Sequence, residues 1–218
     1  MAERTAGLYS FLSMPKIYNA VQRIFSGRSG RRDIVGRFIR PRPGDRILDI
    51  CSGTSEILAF MPDVDYVGYE PNPKYVEYAR ERFADRGKFF AGYFNEQELA
   101  RHAPFDIGVL TGVLHHLNSV EAARLLGLLR AAIKPGGRLM TLDNVFIENQ
   151  NPIARKLIEW DRGKNVRTVE GYRALAAVHF RTVNGTIVHK KNAALHLVYH
   201  GVFIACIQRL QALRISRP

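Results

Sequence analysis

From Arg46 to Asn144 short apolar runs alternate with amphipathic stretches, a rhythm that predicts a parallel β-sheet with connecting helices. Strands are expected near Arg46–Ile50, Tyr66–Tyr69, Lys88–Gly92, Asp106–Leu110 and Gly137–Asn144, and helices near Ser55–Met61, Pro73–Ala84, Glu96–Arg101 and Ser119–Ile133. The last helix has the clearest stripe, with Ala122, Leu125, Leu126, Leu129 and Ile133 on one face, and Lys134-Pro135-Gly136-Gly137 stops it. Beyond Asn149 come a polar helical stretch ending in Trp160, a helix near Thr168–Val178, and two β-rich runs, Phe180–His189 and Leu195–Ile207, read as an antiparallel pair at the sheet edge. Upstream, Leu8, Leu12, Ile17, Val21 and Ile24 recur at helical spacing around Pro15, and Ile34, Val35, Phe38 and Ile39 form a second stripe. Pro41, Pro43 and Gly44 end this helical cap, so residues 1–42 are expected to cap a core spanning residues 43–218 of the same domain.

With 218 residues, 46% of them hydrophobic and 24% charged, the chain can fill one full core. The net charge of +12 is uneven: nine basic and two acidic residues through Arg42 place more than half of it on the cap. Cys51 and Cys206 are too few for a disulfide framework, and no Cys/His cluster has zinc spacing, so a cytoplasmic location and no metal are expected. The N-terminus lacks the pattern of a signal peptide. The longest apolar stretch, around Leu195–Ile207, is interrupted by His196, His200 and Gly201 and is too short to span a bilayer.

Candidate chemistry concentrates in Ile47-Leu48-Asp49-Ile50-Cys51-Ser52-Gly53-Thr54-Ser55-Glu56, a buried strand running into a turn of small residues. In an open α/β sheet, ligands bind at such carboxyl ends of strands, where small residues let the backbone come close. About twenty residues later a second strand ends in Glu70, placed to accept both hydroxyls of a ribose. A dinucleotide site would need G-x-G-x-x-G, but Cys51 and Ser55 stand where glycines would help, and Glu56 would repel pyrophosphate. S-adenosylmethionine has no phosphate and carries an ammonium and a sulfonium, so Asp49 and Glu56 favour it electrostatically.

The order of motifs resembles that of class I S-adenosylmethionine-dependent methyltransferases, of the broad small-molecule group sometimes called type 11. Leu48-Asp49-Ile50-Cys51-Ser52-Gly53-Thr54-Ser55 is similar to the family's L-D-x-G-x-G-x-G, and Val67-Gly68-Tyr69-Glu70-Pro71-Asn72-Pro73 to its second motif, whose acid holds the ribose. Phe105-Asp106-Ile107 with Leu114-His115-His116-Leu117 resembles the fourth strand and the L-H-H-L that often follows it. Ile133-Lys134-Pro135-Gly136-Gly137-Arg138-Leu139 is similar to L-K-P-G-G-x-L. The chain departs from the pattern in keeping only the middle glycine, Gly53, and in having Gly92-Tyr93-Phe94 where an Asp-Ala pair usually meets adenine.

The resemblance implies a Rossmann-like α/β fold: a mostly parallel seven-stranded sheet with helices on both faces, an antiparallel C-terminal hairpin and a helical N-terminal cap. It also implies methyl transfer from S-adenosylmethionine, leaving S-adenosylhomocysteine. Asp49, Cys51, Ser52, Gly53, Glu70, Pro71, Tyr93, Phe94 and Thr111 are the implied cofactor residues, with Asn95 a polar substitute near adenine. His116 is the candidate general base, which slightly prefers an oxygen acceptor, and His115 reads more as structural. Asp143-Asn144 resembles the acid-amide pair of magnesium-dependent methyltransferases, but Thr111-Gly112 stands where a further acid is required, so Asp143 is expected to cap the strand or touch substrate. Tyr9 and Tyr18 of the cap could reach over the cofactor's carboxylate, with an ordinary amphipathic helix contact the favoured reading, and Trp160 with the run Asp161–Arg167 lies where substrate-determining insertions commonly sit.

The expected acceptor is a small or lipid-like molecule. RNA is the alternative raised by the basic cap, although an N/D-P-P-Y/F motif after strand four is missing. Peripheral contact with an anionic lipid surface and a plain solvated face remain alternative uses of that charge, and a non-catalytic relative binding nucleotide-like ligands is the alternative to an enzyme.

Overall fold

A computed structural model describes residues 30–160, 164–192 and 197–208. The predicted cap helix Leu8–Phe25, with Tyr9 and Tyr18, lies outside them. The chain divides into two compact units, Met1–Tyr93 and Phe94–Pro218.

In the first unit β1 (Arg46–Ile50), β2 (Asp65–Glu70) and β3 (Gly87–Ala91) run parallel in the order β3-β2-β1. Ile47, Leu48, Asp49 and Ile50 are all buried, as are residues 66–70, which is why these strands read as unbroken apolar runs rather than alternating ones. Helix α1 (Pro73–Phe83) starts where the Asn72 side chain accepts from the Lys74 N–H and Pro73 opens the first turn, and it buries Val76, Ala79 and Phe83. Val35 and Ile39 of the second cap stripe are buried from a π-helical turn, Val35–Ile39.

The helix expected over Ser55–Met61 is only a 3₁₀ turn, Glu56–Phe60. Pro62 drives Met61 into extended backbone (φ −88°, ψ 151°) and ends the turn before a second one can form. β2 also runs one residue further than expected, so that Glu70 is its last residue and pairs with Ala91.

In the second unit β4 (Phe105–Thr111) and β5 (Ile133–Phe146) are parallel, and β8 (Leu197–Gln208) lies antiparallel between β5 and β7 (Thr182–Asn192), giving the order β4-β5-β8-β7. The expected C-terminal hairpin is therefore present. A two-residue strand, β6 (Arg167–Thr168), pairs with the end of β5 at Val145 and Phe146. Helices α2 (Glu96–His102), α3 (Ser119–Ala132), α4 (Pro152–Trp160) and α5 (Val169–Ala177) complete the unit. Asn118 and Glu121 form a reciprocal capping box at the start of α3, which buries Ala122, Leu126, Leu129 and Ala132.

β5 begins earlier than the sequence suggests. Ile133 already pairs with Phe105, and the register then slips so that Ile107 faces Arg138. Lys134-Pro135-Gly136-Gly137 is thus an irregularity inside the strand as well as the end of the helix. A Cβ on Gly137 would stand 2.6 Å from the Asp106 carbonyl oxygen, so only glycine fits where the chain is re-aimed.

Candidate functional site

β1 delivers its last residues into a bend whose backbone is left-handed at three alternate positions: Cys51 (φ 54°), Gly53 (φ 58°) and Ser55 (φ 54°). These are the three motif positions where the resembling family has glycine, so the geometry of the motif persists although two of its glycines do not. The Ser52 N–H donates to the Tyr69 carbonyl and the Ser55 N–H to the Ser52 carbonyl, tying the bend to β2 and to itself. Left-handed backbone at an L-residue costs about 1–2 kcal/mol, of which glycine's extra unfolded-state freedom returns part. Ser55→Gly is accordingly expected to raise the unfolding free energy by about 0.5–1 kcal/mol. A urea midpoint that stays level or falls would contradict that origin of the strain.

Glu70 reaches back from the end of β2 to this bend. Its Oε2 accepts from the Gly53 N–H at 2.9 Å and its Oε1 from the Asn72 N–H at 2.9 Å, and the residue is 9% exposed. One backbone bond to each carboxylate oxygen fixes the orientation of the group. Two vicinal hydroxyls match a carboxylate aimed rigidly in this way. Gly68, the register partner of Asp49, keeps the floor open: a Cβ there would meet Ser52 Oγ at 3.0 Å.

Asp49 lies beneath the bend, 2% exposed, its Oδ2 accepting from the Tyr66 hydroxyl at 2.6 Å. Burial pushes the Asp49 carboxyl up to about 7; the Tyr66 hydrogen bond opposes this, and the Glu70 charge adds to it. Burial, with the charges of Glu70 and Asp49 beside it, pushes the Cys51 thiol up to about 12, which makes it a packing group rather than a nucleophile. The acidic groups of the cradle, Glu70 at the bend and Asp49 beneath it, suit a cation-bearing nucleoside better than a pyrophosphate.

Two residues expected near the ligand are committed elsewhere. Glu56 Oε1 accepts from the Tyr78 hydroxyl at 3.1 Å and pairs with Arg82 Nε at 3.1 Å, so its charge is directed to α1 rather than to a ligand ammonium. Asn95 caps α2, its side-chain oxygen accepting from the N–H groups of both Gln97 and Glu98. With two donors already on that oxygen, it offers adenine no acceptor. The position of Asn95 just before the Glu-Gln-Glu opening of a helix was the available sequence signal.

Asp49, Cys51, Ser52, Gly53, Glu70 and Pro71 are brought together in the first unit. Tyr93, which ends that unit, is 68% exposed, and Gly92 before it takes φ 123°. Phe94 opens the second unit and is 6% exposed. Thr111 is the last residue of β4 rather than the first beyond it, and it is exposed.

In the second unit the turn Leu114–His116 follows β4. His115 is buried and His116 exposed, their rings 4.2 Å apart between centroids. Asp143 Oδ1 lies 2.8 Å from His115 Nδ1 and also accepts the His115 backbone N–H at 3.1 Å. Asp143 thus clamps the turn. Burial, with the charge of Asp143 beside it, holds the Tyr172 phenol well above its usual value, and its hydroxyl donates to the Asn144 carbonyl at 3.0 Å. Among the described residues no group of three His, Cys, Asp or Glu side chains is arranged to hold a metal ion, and no helix is long and apolar enough to cross a membrane.

A family model described as a methyltransferase domain matches residues 48–139, which contain the whole bend, Glu70 and the Leu114–Leu117 turn. The ubiquinone/menaquinone biosynthesis C-methyltransferase of Teredinibacter turnerae is 28% identical over 165 residues, covering 71% of this chain and 64% of that protein. An O-methyltransferase of Pyrenophora dematioidea is 29% identical over 174 residues, covering 70% of this chain and 64% of that protein. A phosphoethanolamine N-methyltransferase of Haemonchus contortus, solved with phosphomonomethylethanolamine and S-adenosylhomocysteine, superimposes with a TM-score of 0.68 at 15% identity over 95% of this chain and 61% of that one. The chain therefore spans just under two thirds of the length of these proteins, and its fold is the Rossmann-like one of the solved structure.

Proposed function

We infer that this chain, a member of the class I S-adenosylmethionine-dependent methyltransferases, transfers a methyl group to a small or lipid-like acceptor, with oxygen as the preferred acceptor atom. One observation carries the reading: Glu70, at the end of β2, is fixed by two backbone N–H groups beside the left-handed bend at Gly53, where a ribose diol would be received. The residues of the cradle fit S-adenosylmethionine, because the diol acceptor and a buried carboxylate occur together and no basic side chain is bonded into the bend for a phosphate among the contacts described. When bound, that cofactor supplies a methyl group on a positively charged sulfur.

The chain's own contribution is binding and alignment. Glu70 and the Gly53 backbone would hold the ribose, Asp49 with Tyr66 would stiffen the strand beneath it, and the exposed Tyr93 ring would cover the adenine by stacking. Methyl transfer needs in-line alignment more than proton chemistry, so a base matters only where the acceptor must lose a proton. The exposed imidazole of His116 supports an oxygen acceptor for that reason. The curated relatives include enzymes named for O- and for C-methylation, which supports a small-molecule acceptor class.

The test is calorimetry of the wild-type chain with S-adenosylmethionine and S-adenosylhomocysteine, followed by measurement of S-adenosylhomocysteine formation with a phenol, a quinol and total tRNA. One-to-one binding and turnover with a phenol or quinol are expected. Absence of binding to either compound removes the reading. Binding without turnover on any acceptor favours a non-catalytic relative, and salt-dependent turnover on tRNA would shift the acceptor to RNA.

A further inference from the structure

The turn Leu114–Leu117 is held by two sets of groups distant in sequence. Arg167 Nη1 donates to the Leu114 and Asn165 carbonyls and its Nη2 to the Leu117 carbonyl, each at 2.9 Å. The Asn165 N–H donates to the His115 carbonyl, also at 2.9 Å. Three carbonyls of a four-residue turn are thereby taken by the segment Asn165–Arg167, which β6 pins to the end of β5. Arg167 is itself braced, its guanidinium lying 5.7 Å from the centre of the Tyr172 ring.

A second hold comes from Asp143, near the end of β5. Its Oδ1 accepts the backbone N–H of His115 and lies 2.8 Å from the ring Nδ1, which sets the ring's tilt. Its Oδ2 is buried and accepts no hydrogen bond, an arrangement that a purely structural site would ordinarily avoid. The His116 ring rests on the His115 ring at an interplanar angle of 39° and is exposed.

We propose that Asp143 and Arg167 are positioning residues for methyl transfer, locking the turn through two separate sets of bonds so that His116 is presented in one fixed orientation on the His115 ring. The proposal rests on the methyltransferase reading above and adds to it the origin of the base's alignment. Arg167 acts through the backbone of the turn and Asp143 through the His115 ring.

Histidine-selective NMR on the full chain tests this without an acceptor, with the His116 imidazole signals assigned by His116→Gln and S-adenosylhomocysteine as the binding probe. In the wild type one set of His116 signals and a slowly exchanging His115 Nδ1–H are expected. Asp143→Ala and Arg167→Ala are expected to shift and broaden the His116 signals and, for Asp143→Ala, to abolish the slow proton, while S-adenosylhomocysteine binding persists. Asp143→Asn, whose amide oxygen replaces Oδ1, should restore the wild-type signals. Arg167→Lys should not, because one ammonium cannot fork between three carbonyls as a guanidinium does.

If either alanine variant fails to fold, the Asp143→Asn and Arg167→Lys pair decides, since a role in stability alone predicts no difference at His116 between them. His116 signals that stay at their wild-type positions in variants that bind S-adenosylhomocysteine overturn the proposal. Failure of the wild type to bind S-adenosylhomocysteine instead brings down the reading beneath it, and the proposal with it.

Discussion

Glu70→Ala is expected to weaken S-adenosylhomocysteine binding by on the order of a hundredfold, because a hydrogen bond to a charged group contributes roughly 1.5–3 kcal/mol and a ribose diol would make two. The same substitution frees the Gly53 and Asn72 N–H groups that the carboxylate now holds at 2.9 Å each, so part of the loss would come from a loosened bend. Glu70→Gln separates the two contributions. Its amide has the shape of the carboxylate but only one accepting oxygen, so its NH₂ must face one of the two N–H donors. It should fold and still lose most of the affinity. Isothermal titration reads both variants, and affinity in Glu70→Ala within about threefold of wild type, less than 1 kcal/mol, would place the ribose elsewhere.

Raising the pH from 5 to 8 is expected to destabilise the wild type relative to Asp49→Asn. The Asp49 carboxyl titrates at 3.8 when unshifted and near 7 in the folded chain, mainly because burial penalises its charge. Between those values the folded chain keeps a proton that the unfolded chain has released, so stability falls as pH rises through the window and levels off above about 7. A shift of about three units sets an upper bound of roughly 4 kcal/mol, with relaxation and water entry reducing it. Asn at this position can still accept from the Tyr66 hydroxyl and carries no charge to bury. The stability difference between the two proteins should therefore grow in favour of Asp49→Asn from pH 4 to pH 7 and stay constant above. Urea unfolding at several pH values measures it, and a difference independent of pH would contradict a raised Asp49.

The parts of the site carried by local pattern were legible in the sequence. A buried strand ending in small residues placed the bend at Cys51–Ser55, and an acid ending the next strand placed Glu70 beside it. Parallel pairing puts adjacent strand ends side by side, so two strand–turn signals suffice to bring those groups together. The Lys-Pro-Gly-Gly signal marks the end of α3, but the early start of β5 depends on a register slip against Phe105 that no one-dimensional pattern encodes.

The bonds that are not legible in the sequence join side chains to partners far along the chain. Glu56 turns to Arg82, 26 positions on, because α1 returns past the 3₁₀ turn. Asp143 reaches His115 across 28 positions, and Arg167 reaches carbonyls 50 and 53 positions away. Backbone carbonyls are present at every residue, so an arginine that serves them leaves no motif. Asn95 differs, since its capping role was readable from the helix that follows it.

The central claim is that Glu70 grips a ribose diol at the Gly53 bend, and a crystal structure of the chain with S-adenosylhomocysteine tests it most directly. The account predicts both ribose hydroxyls within hydrogen-bonding distance of the Glu70 carboxylate, with the Gly53 N–H still donated to Oε2. A ribose bound away from Glu70, or a bend closed over by the protein's own side chains in crystals grown at saturating ligand, would contradict it.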